Sequence, residues 1–491
     1  MKTVIIGGGL AGMAAALELR RYGIDVEILE ASQRLGGKAG ADRDGARFQE
    51  HGYHIFPAWY VNVRKILNEL GIPLTDEQKY HFLRPGEFPG LVTVEFNNPL
   101  SGGGLIPLPD RLLIFYFLVD MFGESLDHKH YLDRISALGL LRSKWYATDA
   151  MARFNQENLL KAVAVPAYEL SGYTSRLVGV NFASNPTPFM SLLRGNLQET
   201  WIEPFGARLR AMGADIKLGR KVTRIVMAGG RIAQIEALDT ATGSTTVHQG
   251  DHYLWATNLE VLRAKASGFL DDTLYQADPR LGRVHQLHSA PMTALHLYLN
   301  VKLAGLPKEH VFLSGGKYAL SFIDVSQHWS NLPNTALSFI AADFLSLQRL
   351  SESAQKAALL EEILQYLPIG SAQIDQVFLQ PNVTTPLFMN TITAWGDRPE
   401  PVTRIANLRI AGDYVKNHID LATMEGAVSS AQTAAASILD DHGVPHLPMP
   451  QKPRQIPRWA WRAAELALAP AVPGLYAWSW LNERLGGRLS P

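Results

Sequence analysis

Gly7, Gly9 and Gly12 form a G-x-G-x-x-G pattern, and the chemistry open to that spacing is the holding of phosphate. Gly7 permits a tight turn, Gly9 lets the backbone approach a pyrophosphate, and Gly12, beside Ala11, lets a helix pack closely on a strand. A helix starting there points unpaired N–H groups at the phosphate charge. Glu30 follows 21 residues after Gly9. A carboxylate at that distance accepts hydrogen bonds from both hydroxyls of a ribose and repels a 2′-phosphate. The competing explanation, a structural glycine turn followed by an exposed acid, has to be weighed against the elements around it.

Those elements are strand, helix, strand. Thr3-Val4-Ile5-Ile6 is a β-branched run typical of a buried parallel strand. Residues 10–22 have helical composition and stop at Gly23, and Asp25-Val26-Glu27-Ile28-Leu29 reads as the second strand. Apolar periodicity predicts a helix over 61–70, ended by Gly71 and Pro73. From 76 to 200 the chain is dense in apolar, aromatic and proline residues, and 112–122 is apolar almost all round. Near 197 the pattern shifts back. A helix over 198–212 ends at Gly213, and strands are expected over 215–218, 221–228, 231–238, 244–248 and 252–256. Gly229-Gly230 and Thr242-Gly243-Ser244 suit the turns between them. Residues 260–394 mix strands and helices, and 407–439 restore strand, turn and helix. Residues 446–491 form a proline-containing tail with four tryptophans.

At 491 residues the chain is too long for one simple core, so two packed domains and a tail are expected. A formal net charge of zero lacks the electrostatic footprint of a nucleic-acid binder. There is no cysteine, which excludes disulfides, thiolate metal sites and cysteine nucleophiles. His128 and His130 lack the spacing of metal ligands, so no metal is expected. Glu18, Arg20 and Arg21 interrupt what would be the apolar region of a signal peptide. The longest apolar run, 112–119, is far short of the roughly 20 residues that span a bilayer. A cytoplasmic protein is expected, with peripheral contact to a membrane left open. In the tail, Lys452, Arg454, Arg458, Arg462, Arg484 and Arg488 outweigh Glu465 and Glu483. Trp459, Trp461, Trp478 and Trp480 lie among them. That composition suits either a membrane-interface segment or a tail docked on the protein body.

Two further motifs narrow the ligand. After Glu30 comes Ala31-Ser32-Gln33-Arg34-Leu35-Gly36-Gly37-Lys38, and far downstream Leu408-Arg409-Ile410-Ala411-Gly412-Asp413 precedes Met424-Glu425-Gly426-Ala427. In this order they resemble the flavin amine oxidase and carotenoid desaturase superfamily. Glu50-His51-Gly52-Tyr53-His54-Ile55-Phe56 and Tyr60-Val61-Asn62 look like the plant- and cyanobacterial-type carotenoid desaturases and related squalene-pathway flavoenzymes within it. The resemblance implies an α/β fold, with a Rossmann-like FAD-binding domain and an interleaved α+β substrate domain. The first would comprise 1–75, 197–260 and 395–445, the second 76–196 and 261–394, and the tail 446–491. FAD is expected to be bound non-covalently; a cysteinyl link is impossible, and a histidyl link stays open. The resemblance places Gly36 and Gly37 where the backbone passes the cofactor and Lys38 near its pyrophosphate and flavin end. It places Gly52 and His54 beside the flavin, Val222 against the adenine and Asp413 on the ribityl chain. The helix opened by Met424, Glu425 and Ala427 would present its N-terminus to the isoalloxazine. The likeness is sharp over 1–72 and 407–439 and diffuse between, where substrate identity is decided.

The same resemblance implies a dehydrogenation: hydride transfer from an apolar, isoprenoid- or carotenoid-like substrate to flavin N5, with a quinone or O2 as the final electron acceptor. His54 is the candidate general base, against the alternative of a packed histidine that shapes the site. A redox-neutral isomerase or dehydroxylase on a similar lipid is a second reading, and an amine oxidase a third. Against the third, Ala422-Thr423 stand where amine oxidases carry glycine and an aromatic. That removes half of an aromatic cage for the amine unless Tyr414 replaces it.

Overall fold

The computed structural model describes the chain apart from residues 45–46, 96–97, 99, 126–128, 264–271, 384 and 486–491. His128 and Arg488 therefore lie outside the described residues. Strand β1 (Lys2–Ile6) occupies the middle of a five-stranded parallel sheet. Its companions are β2 (Asp25–Leu29), β3 (Asp215–Lys217), β4 (His252–Trp255) and β5 (Leu408–Ile410), in the order β5-β4-β1-β2-β3. Ile5 pairs with Ile28 on one side and Leu254 on the other. The strands read as unbroken apolar runs because both faces are covered. One face carries the helix Leu10–Arg21, packed on the helix Met424–Asp441. Alanines on both helices, among them Ala14, Ala15, Ala431 and Ala435, let the axes approach. The other face is closed by an antiparallel meander, Arg220–Ala228, Arg231–Asp239 and Thr245–His248. Gly229 and Gly230, both at positive φ, make its first turn.

The glycine turn obeys a tight steric rule. Gly7 has φ of +106°, and a Cβ there would stand 2.7 Å from the Ala256 carbonyl oxygen. A Cβ on Gly12 would lie 2.0 Å from the Gly7 carbonyl oxygen. Helix and strand thus meet backbone to backbone, as the motif predicts.

The chain between these pieces builds a seven-stranded sheet. Its order is Ile374–Gln380, Thr293–Leu299, Ala336–Ala341, Leu320–Asp324, His310–Leu313, Lys79–Leu83 and Val92–Glu95. Neighbours are antiparallel except His310–Leu313 and Lys79–Leu83, which run parallel. The helix Glu352–Tyr366 packs on one face through Leu359 and Ile363. On the other face Leu192, Ile323 and Val325 meet Tyr53 and Ile55 of the first domain. Helices Leu108–Gly123, Asp149–Val163 and Gly172–Ser184 form a flanking layer.

Two elements differ in detail from their sequence expectations. The helix expected over 198–212 opens as a wide π-turn, Gln198–Ile202, before continuing as Glu203–Ala211. Pro204 has no N–H to donate to Thr200, which removes one α-helical bond at that point. The tail is more helical than its prolines suggested. It forms Arg458–Leu468 and Val472–Arg484, separated by a 3₁₀ turn at Ala469–Ala471 that contains Pro470. Both helices dock on Leu108–Gly123. Among the described residues no helix is long and apolar enough to cross a membrane. The steric argument gives a test: Gly12→Ala is expected to lower unfolding free energy by about 2–3 kcal/mol, read as a fall in the urea midpoint.

Candidate active site and nucleotide cradle

The cradle begins where β1 and β2 end. The Glu30 backbone N–H donates to the Lys217 carbonyl (2.9 Å), and the Arg220 N–H donates to the Glu30 carbonyl (2.7 Å). The carboxylate so anchored accepts the Gly8 N–H at 2.7 Å and the Ser32 N–H at 2.8 Å. The Gly36 N–H donates to the Gly8 carbonyl (2.9 Å), which lays the Gly36-Gly37 turn beside Gly9. A Cβ on Gly9 would meet nothing nearer than 3.9 Å. The protein itself leaves room at Gly9, so the position is open to a close backbone-to-phosphate approach. The helix starting at Leu10 has no side-chain cap and no acid in its first turn, so its N–H groups and dipole remain directed at an anion. Ala11 is buried in that first turn. Val222 is buried in a strand paired with Ala237, next to a bulge between Val222 and Arg224. These features fit a dinucleotide bearing a free ribose.

The chain's far end closes the cradle. Lys38 Nζ donates to Asp413 Oδ2 at 2.9 Å and to the Pro386 carbonyl at 3.3 Å. Two motif residues 375 positions apart thereby meet. Gly412 donates its N–H to Ser430 Oγ (3.0 Å). Arg398, which no motif flags, lies buried beneath this loop. It donates to the carbonyls of Asp413, Tyr414 and Val415 at 2.8–3.0 Å. Burial lowers its pKa, with Asp420 opposing that effect from 3.7 Å. Thr423 caps the helix of Met424 and Ala427 by accepting the Gly426 N–H (3.0 Å). Glu425 points elsewhere. It is fully buried and accepts the Asn62 N–H (3.0 Å), Asn62 Nδ2 (2.7 Å) and the Val63 N–H (2.9 Å). Burial raises its pKa to about 7 in spite of these three donors. Tyr414 is also fully buried, within the core around Ile410. It therefore offers no ring face to a ligand.

The Glu50–Phe56 segment runs between cradle and seven-stranded sheet. Gly52 backs onto Ile340, which a Cβ would approach to 3.2 Å. His54, Tyr53 and Glu50 line one small cavity of about 30 Å³ with Leu192, Leu193, Leu197, Val325 and Trp329. Burial lowers the His54 pKa to about 4, a bond to the Gly52 backbone opposing it. Its Nδ1 is buried with no partner among the described residues. His51, bonded to the Thr385 carbonyl at 2.8 Å, is lowered by burial to about 3. Glu50 moves the other way: burial raises it to about 7, against one bond from the Leu197 N–H at 2.8 Å. Glu50 opens the His54 motif, and only the fold shows that its carboxyl faces the same cavity. Burial thus pushes Glu50, His51 and His54 each toward its neutral form, the signature of a dry site.

Aromatic rings lead outward from this cavity. Tyr53 meets His310 at 4.9 Å between centroids, His310 meets Phe312 at 4.4 Å, and Phe312 meets Phe82 at 5.3 Å. Phe82 stands 6.2 Å from Phe154, and both line a cleft of about 480 Å³ with Leu105 and Pro107.

The family model described as flavin containing amine oxidoreductase matches residues 10–439. The 15-cis-phytoene desaturase of an Oncidium hybrid cultivar is 25% identical over 472 residues, covering 90% of this chain and 78% of the relative. The 15-cis-phytoene desaturase of Synechococcus elongatus is 23% identical over 466 residues, covering 89% and 96%. Among solved structures, putrescine oxidase bound to putrescine superposes with a TM-score of 0.67 at 16% identity over 90% of this chain and 99% of that one. Cyclohexylamine oxidase from Brevibacterium oxydans also gives 0.67, at 14% identity over 90% and 99%. At these identities the solved structures establish the fold.

The Glu50 environment predicts a pH dependence of stability. Its folded pKa, about 7, exceeds the ordinary glutamate value of 4.5. Its stabilising contribution is thus complete below the unfolded pKa and is lost as pH rises through the folded one. Glu50→Gln removes that loss. Relative to the unsubstituted protein it is expected to gain up to about 3 kcal/mol between about pH 5 and about pH 9, measured by urea unfolding across that range.

Proposed function

Because the chain belongs to the flavin-containing amine oxidoreductase family and is accordingly an FAD-dependent oxidoreductase, we propose that it desaturates an apolar, isoprenoid-type polyene. The observation that carries this reading is the run of rings from the Phe82–Phe154 cleft to Tyr53 and the His54 cavity. A wall of that kind holds a long hydrocarbon by dispersion and area burial, without fixed polar contacts along its length. The phytoene desaturases support the same direction by their similarity over nine-tenths of the chain. The amine reading lacks such support: Ala422 and Thr423 replace half of the aromatic cage, and Tyr414 is sealed in the core.

Bound FAD supplies the hydride acceptor. The chain's own residues do the remainder. Glu30 and the glycine turn hold the ribose and pyrophosphate, and the Lys38–Asp413 pair closes the far side. The aromatic wall aligns two neighbouring substrate carbons and keeps water out. One carbon gives up a hydride, its neighbour gives up a proton, and the electron pair left in the second C–H bond becomes the new double bond. Glu50 Oε and the neutral His54 imidazole are the acceptors on the cavity wall. Glu50, held near neutrality, is the stronger base of the two. A quinone or O2 would serve as the final electron acceptor.

Two experiments bear on this reading. Glu30→Gln, which removes the charge facing the ribose, is expected to weaken FAD retention by roughly ten- to a hundredfold, read by fluorescence of released flavin. Anaerobic mixing of the holoprotein with a detergent-dispersed isoprenoid hydrocarbon should bleach the oxidised flavin band and lengthen the product's conjugated system. Turnover only after prior reduction of the flavin would instead establish a redox-neutral reaction. Peroxide from an amine panel, with no bleaching by hydrocarbons, would overturn the assignment.

A further inference from the structure

The family match ends at residue 439, and the tail beyond it is firmly attached to the body. Gln451 donates its N–H to Asn62 Oδ1 (2.9 Å), and Asn62 Nδ2 donates to the Gln451 carbonyl (2.8 Å). The Ile456 N–H donates to Ser184 Oγ (3.1 Å). The two tail helices then lie along Leu108–Gly123. Their inner residues are satisfied: Trp461 packs on Phe122 at 5.0 Å, Val472 is buried, and Ser479 Oγ donates to Asp110 Oδ1 at 2.8 Å.

Their outer residues are not. Trp459 and Leu466, seven positions apart and so on one helical face, are 73% and 72% exposed. On the second helix Trp480 and Leu481 are each 45% exposed. Beside that helix Trp145, whose ring is 6.0 Å from Tyr476, is 63% exposed. Docking on the body therefore explains the inner face only. An exposed apolar surface of this kind marks an interaction site.

The surrounding charge indicates what covers it. The described tail carries Lys452, Arg454, Arg458, Arg462 and Arg484 against Glu465 and Glu483, and Glu465 is taken up by Arg462 at 2.6 Å. The Arg484 guanidinium lies 3.9 Å over the Trp480 ring. Two-fold pairing of this face with a second copy would bring a net positive surface against itself. A bilayer with anionic headgroups reverses that sign. Indoles settle at headgroup level, leucines enter the acyl boundary, and arginines reach the phosphates.

We propose that the outer face of the tail helices, with Trp145, is a docking surface for an anionic membrane interface. It rests on its own residues, apart from the substrate assignment. Ser479 bonds Asp110 in the first turn of Leu108–Gly123, and Pro107, just before that helix, lines the Phe82–Phe154 cleft. The second tail helix thus reaches the cleft's end of Leu108–Gly123, while the first, with Trp459 and Leu466, packs at its Phe122–Gly123 end.

The test is flotation of the full-length holoprotein with vesicles of phosphatidylcholine and phosphatidylglycerol. The protein is expected to float with these vesicles, and roughly tenfold less with phosphatidylcholine alone. The double variant Trp459→Ser, Trp480→Ser is expected to lose flotation roughly tenfold or more while keeping its flavin content and melting temperature. Undiminished flotation of that variant would overturn the proposal. So would failure of the unsubstituted protein to float, whether it stays monomeric or self-associates in sedimentation.

Discussion

A buried carboxylate has to find donors, and here that requirement joins the two ends of the chain. Glu425 is sealed from water at the start of the Met424–Asp441 helix, and its donors are the backbone and side chain of Asn62 and the backbone of Val63. Those N–H groups open the helix Val61–Glu69, so one acid satisfies orphan donors that the second helix leaves exposed. Asn62 spends its remaining amide capacity on Gln451. A single cluster therefore fixes the segment that leads out of the His54 cavity, the helix beneath the cofactor loop and the entry to the tail. Removing one member would strand the others without partners in a dry interior.

The same dryness organises the cavity. Burial raises Glu50 and lowers His54 in its wall and lowers His51 and His310 beside it, with no metal-capable cluster among the described residues. A site whose groups are drawn toward neutrality tolerates an apolar guest far better than one of fixed charges. Charge is retained at Glu30 and at the Lys38–Asp413 pair of the cradle. Polarity is thus divided along the molecule: ionic at Glu30 and the Lys38–Asp413 pair, drawn toward neutrality at the His54 cavity and aromatic toward the Phe82–Phe154 cleft.

Local rules were enough to read the nucleotide half. The Gly7–Gly12 turn, the strands on either side and Glu30 are set by neighbours within thirty residues, because a β-α-β unit is closed by short-range packing and by glycine sterics. The meander after residue 213 was legible for the same reason, its turns being marked by Gly229-Gly230 and Gly243. The middle of the chain gave no such signal. Its strands pair across more than two hundred positions, as Lys79–Leu83 does with His310–Leu313, and no local pattern records a partner that distant. Trp459 and Trp461 illustrate the limit, since two residues of one type and almost one position end on opposite sides of a helix, one against Phe122 and one exposed.

What the sequence by itself determined is the β-α-β frame with its glycine turn and Glu30, since these are short-range objects, and, through motifs at both ends of the chain, the flavoprotein family. Folding decided which side chains share a cavity. It turned Glu425 away from the cradle toward Asn62, placed Arg398 under the Asp413 loop, buried Tyr414 and brought Glu50 to the cavity of His54. The physical reason is desolvation: the behaviour of an acid, an imidazole or an indole depends on what has displaced its water, and that is fixed by the approach of distant segments.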